Sequence, residues 1–204
     1  FHHVAVPCVL LTNSAGELTF PNLSSLTTDD EEAAYQVIRY LAGQGHRHIG
    51  LLGGNWSCTQ ISYRRVRGCQ RAFDELKLPF DSQRCEPCRY SFADAYDTTK
   101  RLLSRCPELT ALFCISDVMA MGAIRAIRDL GRRVPEDISV VGYDGIPLAR
   151  FSVPRLTTVQ QDTQRLAEQG VDLLLRNLQR PCAPAHNLVP FRLIPGESVT
   201  HPRP

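Results

Sequence analysis

Short apolar runs rich in β-branched residues alternate along this chain with segments whose apolar residues recur at helical spacing. This alternation constrains the fold more than any bulk property does. Strands separated by helices of ten or more residues build parallel sheets covered by helices. Strands are expected at 6–11, 49–52, 84–90 (short, with loop character), 111–115, 138–141, 156–159 and 188–194. Helical stripes are marked by Ala34, Val37, Ile38 and Leu41, and by Val66, Cys69, Phe73 and Leu76. Further helices are expected at 92–104 and 164–178, with one more carrying Ala120, Ala123, Ile124, Ile127 and Leu130. Thr28-Asp-Asp-Glu31 reads as a capping box, Ser116 as an N-cap, and Gly45 and Gly131 as helix ends. His46 reads as a turn residue and His-Pro-Arg-Pro as a frayed terminus.

The chain has 204 residues, 43% hydrophobic and 22% charged, enough for one large domain or two small lobes. A net charge of +2 does not predict a nucleic-acid surface. No run of about 18 apolar residues predicts a transmembrane helix. The first residues lack the basic and apolar regions of a signal peptide. Of eight cysteines, Cys8 and Cys114 lie in strand-like runs and Cys69 on a helix face, as small buried hydrophobes of a cytosolic protein would. Cys85-Glu-Pro-Cys88 is a lone CxxC, read as loop thiols with a metal or disulfide as the alternatives. No Gly-x-Ser-x-Gly elbow, P-loop, HExxH or G-x-G-x-x-G loop occurs, so no enzyme is expected. No cofactor or metal is expected either.

Residues 138–161 carry the most chemistry. A β-branched run ends on Gly142-Tyr143-Asp144, and a proline-bounded loop leads into Leu156–Val159. A buried strand ending on Asp at its carboxyl edge is how open α/β sheets present a polar group to a ligand.

Several segments, in order, resemble the effector-binding domain of the LacI/GalR family of bacterial transcription regulators. They are Thr28-Asp29-Asp30, Gly45-His-Arg-His-Ile-Gly50, Arg65-Val-Arg-Gly68, Ser116-Asp-Val-Met-Ala-Met-Gly122, Pro135 to Asp144, Pro154 to Gln161, and Glu197-Ser198. The resemblance spans about residues 6 to 200. It implies an α/β, two-lobe, periplasmic-binding-protein-like fold with parallel sheets flanked by helices and an incomplete first lobe. Residues 1–28 and 159–193 would belong to the N-terminal lobe, and 29–158 and 194–204 to the C-terminal lobe, with a ligand cleft between. The family's helix-turn-helix, hinge helix and first strands are expected to lie outside this chain.

The resemblance places Arg65, Asp144 and Gln161 at effector positions, Tyr90 where an aromatic contact is frequent, and Thr12 and Ser116 at strand ends lining the cleft. Asp144 would accept two hydroxyl protons, Arg65 would offer a planar donor fork, and Trp56 or Tyr90 would stack on a sugar face. Gln161 has hinge packing as its alternative, Tyr90 surface packing, Trp56 a core or rim position, and Ser116 a helix cap. Asp117 is read as an acid favoured by the helix N-terminus. Ser116 stands where Asn is usual, Gly145 where a second Asp is frequent, and Thr12-Asn13 where Asp often ends the strand. These replacements remove groups that many sugar-binding members use. The implied protein is a cytoplasmic homodimer that senses a sugar-like effector and binds operator DNA through a helix-turn-helix outside this chain. A periplasmic solute-binding protein for sugar transport is the alternative with the same fold.

Overall fold

The computed structural model describes residues 6–13, 20, 22–53, 60–180 and 183–203. Its elements are β1 (Cys8–Leu11), β2 (Leu23–Thr28), α1 (Asp30–Gly43), β3 (Ile49–Leu52), α2 (Gln60–Glu75), β4 (Cys85–Glu86), α3 (Phe92–Arg105), β5 (Ala111–Cys114), α4 (Asp117–Asp129), β6 (Ser139–Asp144), β7 (Thr157–Gln161), α5 (Thr163–Gln179), β8 (His186–Val189) and β9 (Phe191–Ile194). The chain is α/β. Each strand pairing with a described register is parallel.

Two compact units divide the chain: Phe1–Asp30 with Gln161–Phe191, and Glu31–Gln160 with Arg192–Pro204. The first holds a three-stranded sheet in the order β1-β2-β8. Leu26, Leu166 and Val189 form its core, with Val9 and Leu173 packed against them. The second unit is built on a six-stranded sheet in the order β4-β3-β5-β6-β7-β9. β3 and β5 are buried at every residue, which explains why Ile-Gly-Leu-Leu and Ala-Leu-Phe-Cys read as unbroken apolar runs.

Strand β2 escapes sequence reading. Leu-Ser-Ser-Leu-Thr-Thr shows no apolar run, yet all six residues are buried. Its hydroxyls carry their own bonds. Ser24 Oγ accepts from the Ala185 N–H at 3.1 Å and from Asn177 Nδ2 at 3.3 Å. Ser25 Oγ meets His186 Nδ1 at 2.8 Å, and Thr28 Oγ1 donates to Gln161 Oε1 at 2.9 Å. Thr28 is therefore the last residue of a strand and not the cap of a capping box. Pro190, which has no N–H to give a ladder, divides the expected 188–194 strand into β8 in one sheet and β9 in the other. Leu76 and Leu130, expected on buried helical stripes, lie beyond their helices and are exposed.

His46 is buried and not a simple turn residue. Its Nε2 lies 2.9 Å from the Thr200 carbonyl and 3.1 Å from Ser139 Oγ, and its Nδ1 lies 2.9 Å from Thr110 Oγ1. Burial pushes its pKa below the usual histidine range. The segment after β9 is likewise tied down. Ser198 Oγ donates to the Val140 carbonyl at 2.6 Å and accepts the Thr157 N–H at 2.8 Å. Arg203 pairs with Asp137 at 3.1 Å, so the terminus is anchored through that residue.

Helices α1 and α2 cross at Gly68. A Cβ there would lie 2.0 Å from the Glu31 carbonyl oxygen, so the two backbones touch where only glycine fits. Gly68→Ala is expected to lower stability by about 2 kcal/mol, the scale of overpacking. Gly43→Ala, whose Cβ would meet nothing within 4 Å, serves as the control and should stay within about 0.5 kcal/mol of wild type. Urea unfolding midpoints of the two variants check this.

Candidate functional site

The second unit gathers polar groups at the carboxyl ends of its parallel strands, where open α/β sheets bind ligands. Helix α2 turns Ser62, Arg65, Val66, Cys69, Ala72 and Phe73 inward on one face. Arg65 is thus a cation on a buried stripe, only 4% exposed. Its Nη1 donates to the Ile115 carbonyl just beyond β5. Its guanidinium carbon stands 3.5 Å from the centroid of the buried Tyr143 ring. Its Nη2 lies 3.9 Å from Asp144 Oδ1, within ion-pair reach but longer than a hydrogen bond. The Tyr143-Asp144 pair at the end of β6 therefore serves Arg65 twice, with a ring face and with a carboxylate.

Asp144 adopts φ 111° and Gly145 φ 70°, so two consecutive residues turn through left-handed space. Such backbone costs on the order of 1–3 kcal/mol for a residue other than glycine and persists where the surroundings hold it. The Asp144 side chain is 31% exposed, so its carboxylate keeps access to solvent beside a shielded cation.

Ser116 occupies the N-cap position of α4 and is buried, but its side chain makes no capping bond. Tyr90 is 48% exposed, with its hydroxyl 3.2 Å from Ser62 Oγ. Arg65, Asp144, Ser116 and Tyr90 all belong to the second unit. Thr12 and Gln161 belong to the first. Thr12 follows β1 with φ 61°, its N–H bonded to the Leu26 carbonyl at 2.9 Å and its hydroxyl to the Leu11 carbonyl at 2.7 Å. Gln161 closes β7 and receives the Thr28 hydroxyl. Trp56 lies outside the described residues.

Sequence reasoning missed the role of Asp117. The residue is fully buried. Its Oδ2 accepts the Ile146 N–H at 2.8 Å and its Oδ1 the Thr158 hydroxyl at 2.5 Å. The signal was Gly142. A glycine inside a strand marks a close approach, and its Cβ would lie 2.3 Å from Asp117 Oδ1. Cys85 and Cys88 are half-buried free thiols, and burial pushes each up to about 12. Thiols of that kind stay protonated at neutral pH and are poor nucleophiles. Among the described residues no group of His, Cys, Asp and Glu is placed to hold a metal ion.

Comparison with known proteins agrees with this architecture. Residues 38–199 match the periplasmic binding protein-like domain model. Over 160 residues the chain is 38% identical to the HTH-type transcriptional repressor PurR of Haemophilus influenzae, covering 78% of this chain and 47% of that protein. Over 200 residues it is 32% identical to the HTH-type transcriptional regulator MalR of Clostridium butyricum, covering 97% and 59%. A solved LacI family transcriptional regulator from Enterococcus faecium with bound ribose superposes with a TM-score of 0.85 at 27% identity, covering 96% of this chain and 71% of that one. The chain thus spans about half the length of the curated relatives it matches. Those relatives are transcriptional regulators.

Arg65→Met is expected to strand the Ile115 carbonyl and leave Asp144 without its cation, at a cost of about 2 kcal/mol. Arg65→Lys, a point charge without the planar fork, should recover only part of that. Chemical denaturation of the two variants reads the difference. Through residues 38–199 the chain belongs to the periplasmic binding protein-like domain family, and it is similar there to LacI-family transcriptional regulators.

Proposed function

We propose that this chain is the effector-sensing part of a bacterial transcriptional regulator and that it binds a small polyhydroxyl ligand, a sugar or sugar derivative, in a cleft between its two lobes. The observation that carries this reading is the pairing of a shielded guanidinium with a partly exposed carboxylate at the end of β6. A sugar presents vicinal hydroxyls, which donate to a carboxylate and accept from a guanidinium at the same time. The ribose bound to the Enterococcus faecium regulator supports a sugar as the ligand class. Ser116, Tyr90, Trp56, Thr12 and Gln161 complete the proposed ligand contacts, with Tyr90 and Trp56 as stacking surfaces.

The chain passes between the units at Asp30/Glu31, Gln160/Gln161 and Phe191/Arg192. In this reading an effector with differential affinity for two lobe arrangements shifts their populations. In a cytoplasmic homodimer of the whole regulator, that shift changes the spacing of two helix-turn-helix heads on operator DNA.

Isothermal titration against pentoses, hexoses, disaccharides and sugar acids tests the site. One of these classes is expected to bind, and Asp144→Asn or Arg65→Lys should weaken it at least about 10-fold, the scale of a charge-assisted hydrogen bond. Affinity unchanged in both variants, or no binder in the panel, would overturn the assignment.

A further inference from the structure

Asp117 does more than favour the start of α4. It joins three elements that the ligand site depends on. From the N-terminus of α4 its carboxylate takes the N–H of Ile146 at 2.8 Å and the hydroxyl of Thr158 at 2.5 Å. The Gly145 N–H also faces it and favours its ionised form. Two of these donors belong to the turn that carries Asp144. The third lies on β7, two residues before Gln160, where the second unit's share of that strand ends. The chain makes room for this arrangement. Gly142 leaves the space that Oδ1 fills, and a Cβ at Gly145 would lie 2.6 Å from the Gln160 Cα. The left-handed backbone at Asp144 and Gly145 is thus held from outside itself.

We propose that Asp117 is a proton-sensitive positioning residue: ionised, its carboxylate locks the Asp144-Gly145-Ile146 turn to β7, and protonation loosens that turn and the placing of Asp144. The chemistry follows from donor counting. An ionised carboxylate only accepts, and it satisfies all three donors aimed at it. A protonated one carries an O–H that needs an acceptor, yet the groups facing it are two N–H donors and a hydroxyl. Thr158 must then turn its hydroxyl away, toward the Val159 carbonyl at 3.4 Å, and the bonds to the turn and to β7 lose their charge assistance and weaken.

The charge environment puts this event in an accessible range. Burial pushes the Asp117 carboxyl up to about 7; Thr158 and Ile146 oppose this, Asp144 adds to it, and the Gly145 N–H opposes it. From β5, Cys114 also faces it, with a thiol that burial holds well above its usual range and therefore neutral. On the far side of the turn, Arg150 and Arg155 line the pocket that Gly145, Ile146 and Thr158 share. Across β6, Arg65 is engaged with Asp144. The link to effector affinity rests on the ligand reading of Asp144, but the proton switch itself does not.

The test needs no ligand, so its outcome is independent of any sugar screen. Amide 1H–15N shifts of Gly145 and Ile146 are followed from about pH 5 to 9. In wild type they should move together with a midpoint of about 7. In Asp117→Asn the transition should vanish. In Thr158→Val, which removes one donor to the ionised form, the midpoint should rise by roughly half a unit or more. Unfolding supplies a second readout. A carboxyl raised from 3.8 to about 7 on folding contributes stability that is present below 3.8 and lost as pH rises through about 7. Wild type should therefore lose stability relative to Asp117→Asn between about pH 4 and 7 and change little above that. Flat amide shifts in wild type, a transition that survives Asp117→Asn, or an unmoved midpoint in Thr158→Val would overturn the proposal. Should Asp117→Asn not fold, the wild-type and Thr158→Val midpoints decide alone.

Discussion

The polar end of the six-stranded sheet depends on one buried cation. A guanidinium 4% exposed is costly unless its donors and its charge are met. Here a carbonyl at the end of β5, an aromatic face on β6 and the next carboxylate along β6 meet it together. Those three groups come into range only because β5 and β6 are parallel neighbours, with Phe113 opposite Val141. The pairing of strands thus fixes where Arg65 can point, and Arg65 in turn gives Asp144 a reason to sit in left-handed backbone. The binding chemistry proposed for this domain is a by-product of how the cation is satisfied.

Behind that pair stands a second layer. Asp117 ties the turn after β6 to β7, and Ser198 stitches β6 to β7 from the other side through Val140 and Thr157. The turn that carries the Asp144 carboxylate is therefore braced by hydrogen bonds to elements far apart in sequence. This is the arrangement needed when a small ligand must bias a larger rearrangement, since a loosely held group would absorb the binding energy locally.

Much of the fold was legible because central strands of parallel sheets are buried on both faces and must be apolar. That is why β3, β5 and β6 announce themselves in sequence. β2 obeys the same burial rule with the opposite chemistry: serines and threonines that satisfy one another and their neighbours leave no apolar run to see. In the site, Asp144 was readable as an acid at a strand's end. The inward aim of Arg65 was readable only indirectly, since it precedes Cys69 by one helical turn on the stripe that runs to Phe73. Asp117 does stand in the first turn of α4, as read, but its buried bonds to Ile146 and Thr158 were hinted at only by Gly142. The histidine at 46 and the terminal segment were underestimated for a common reason: their partners at Thr110, Ser139 and Asp137 are distant in sequence.

The central claim is that Arg65 and Asp144 form the recognition group for a polyhydroxyl effector. Its most direct test is a crystal structure of the chain grown with the tightest-binding sugar from a titration panel. Density for two adjacent ligand hydroxyls within about 3.2 Å of the Arg65 guanidinium and the Asp144 carboxylate is the predicted result. Sugar density that contacts neither side chain would contradict it.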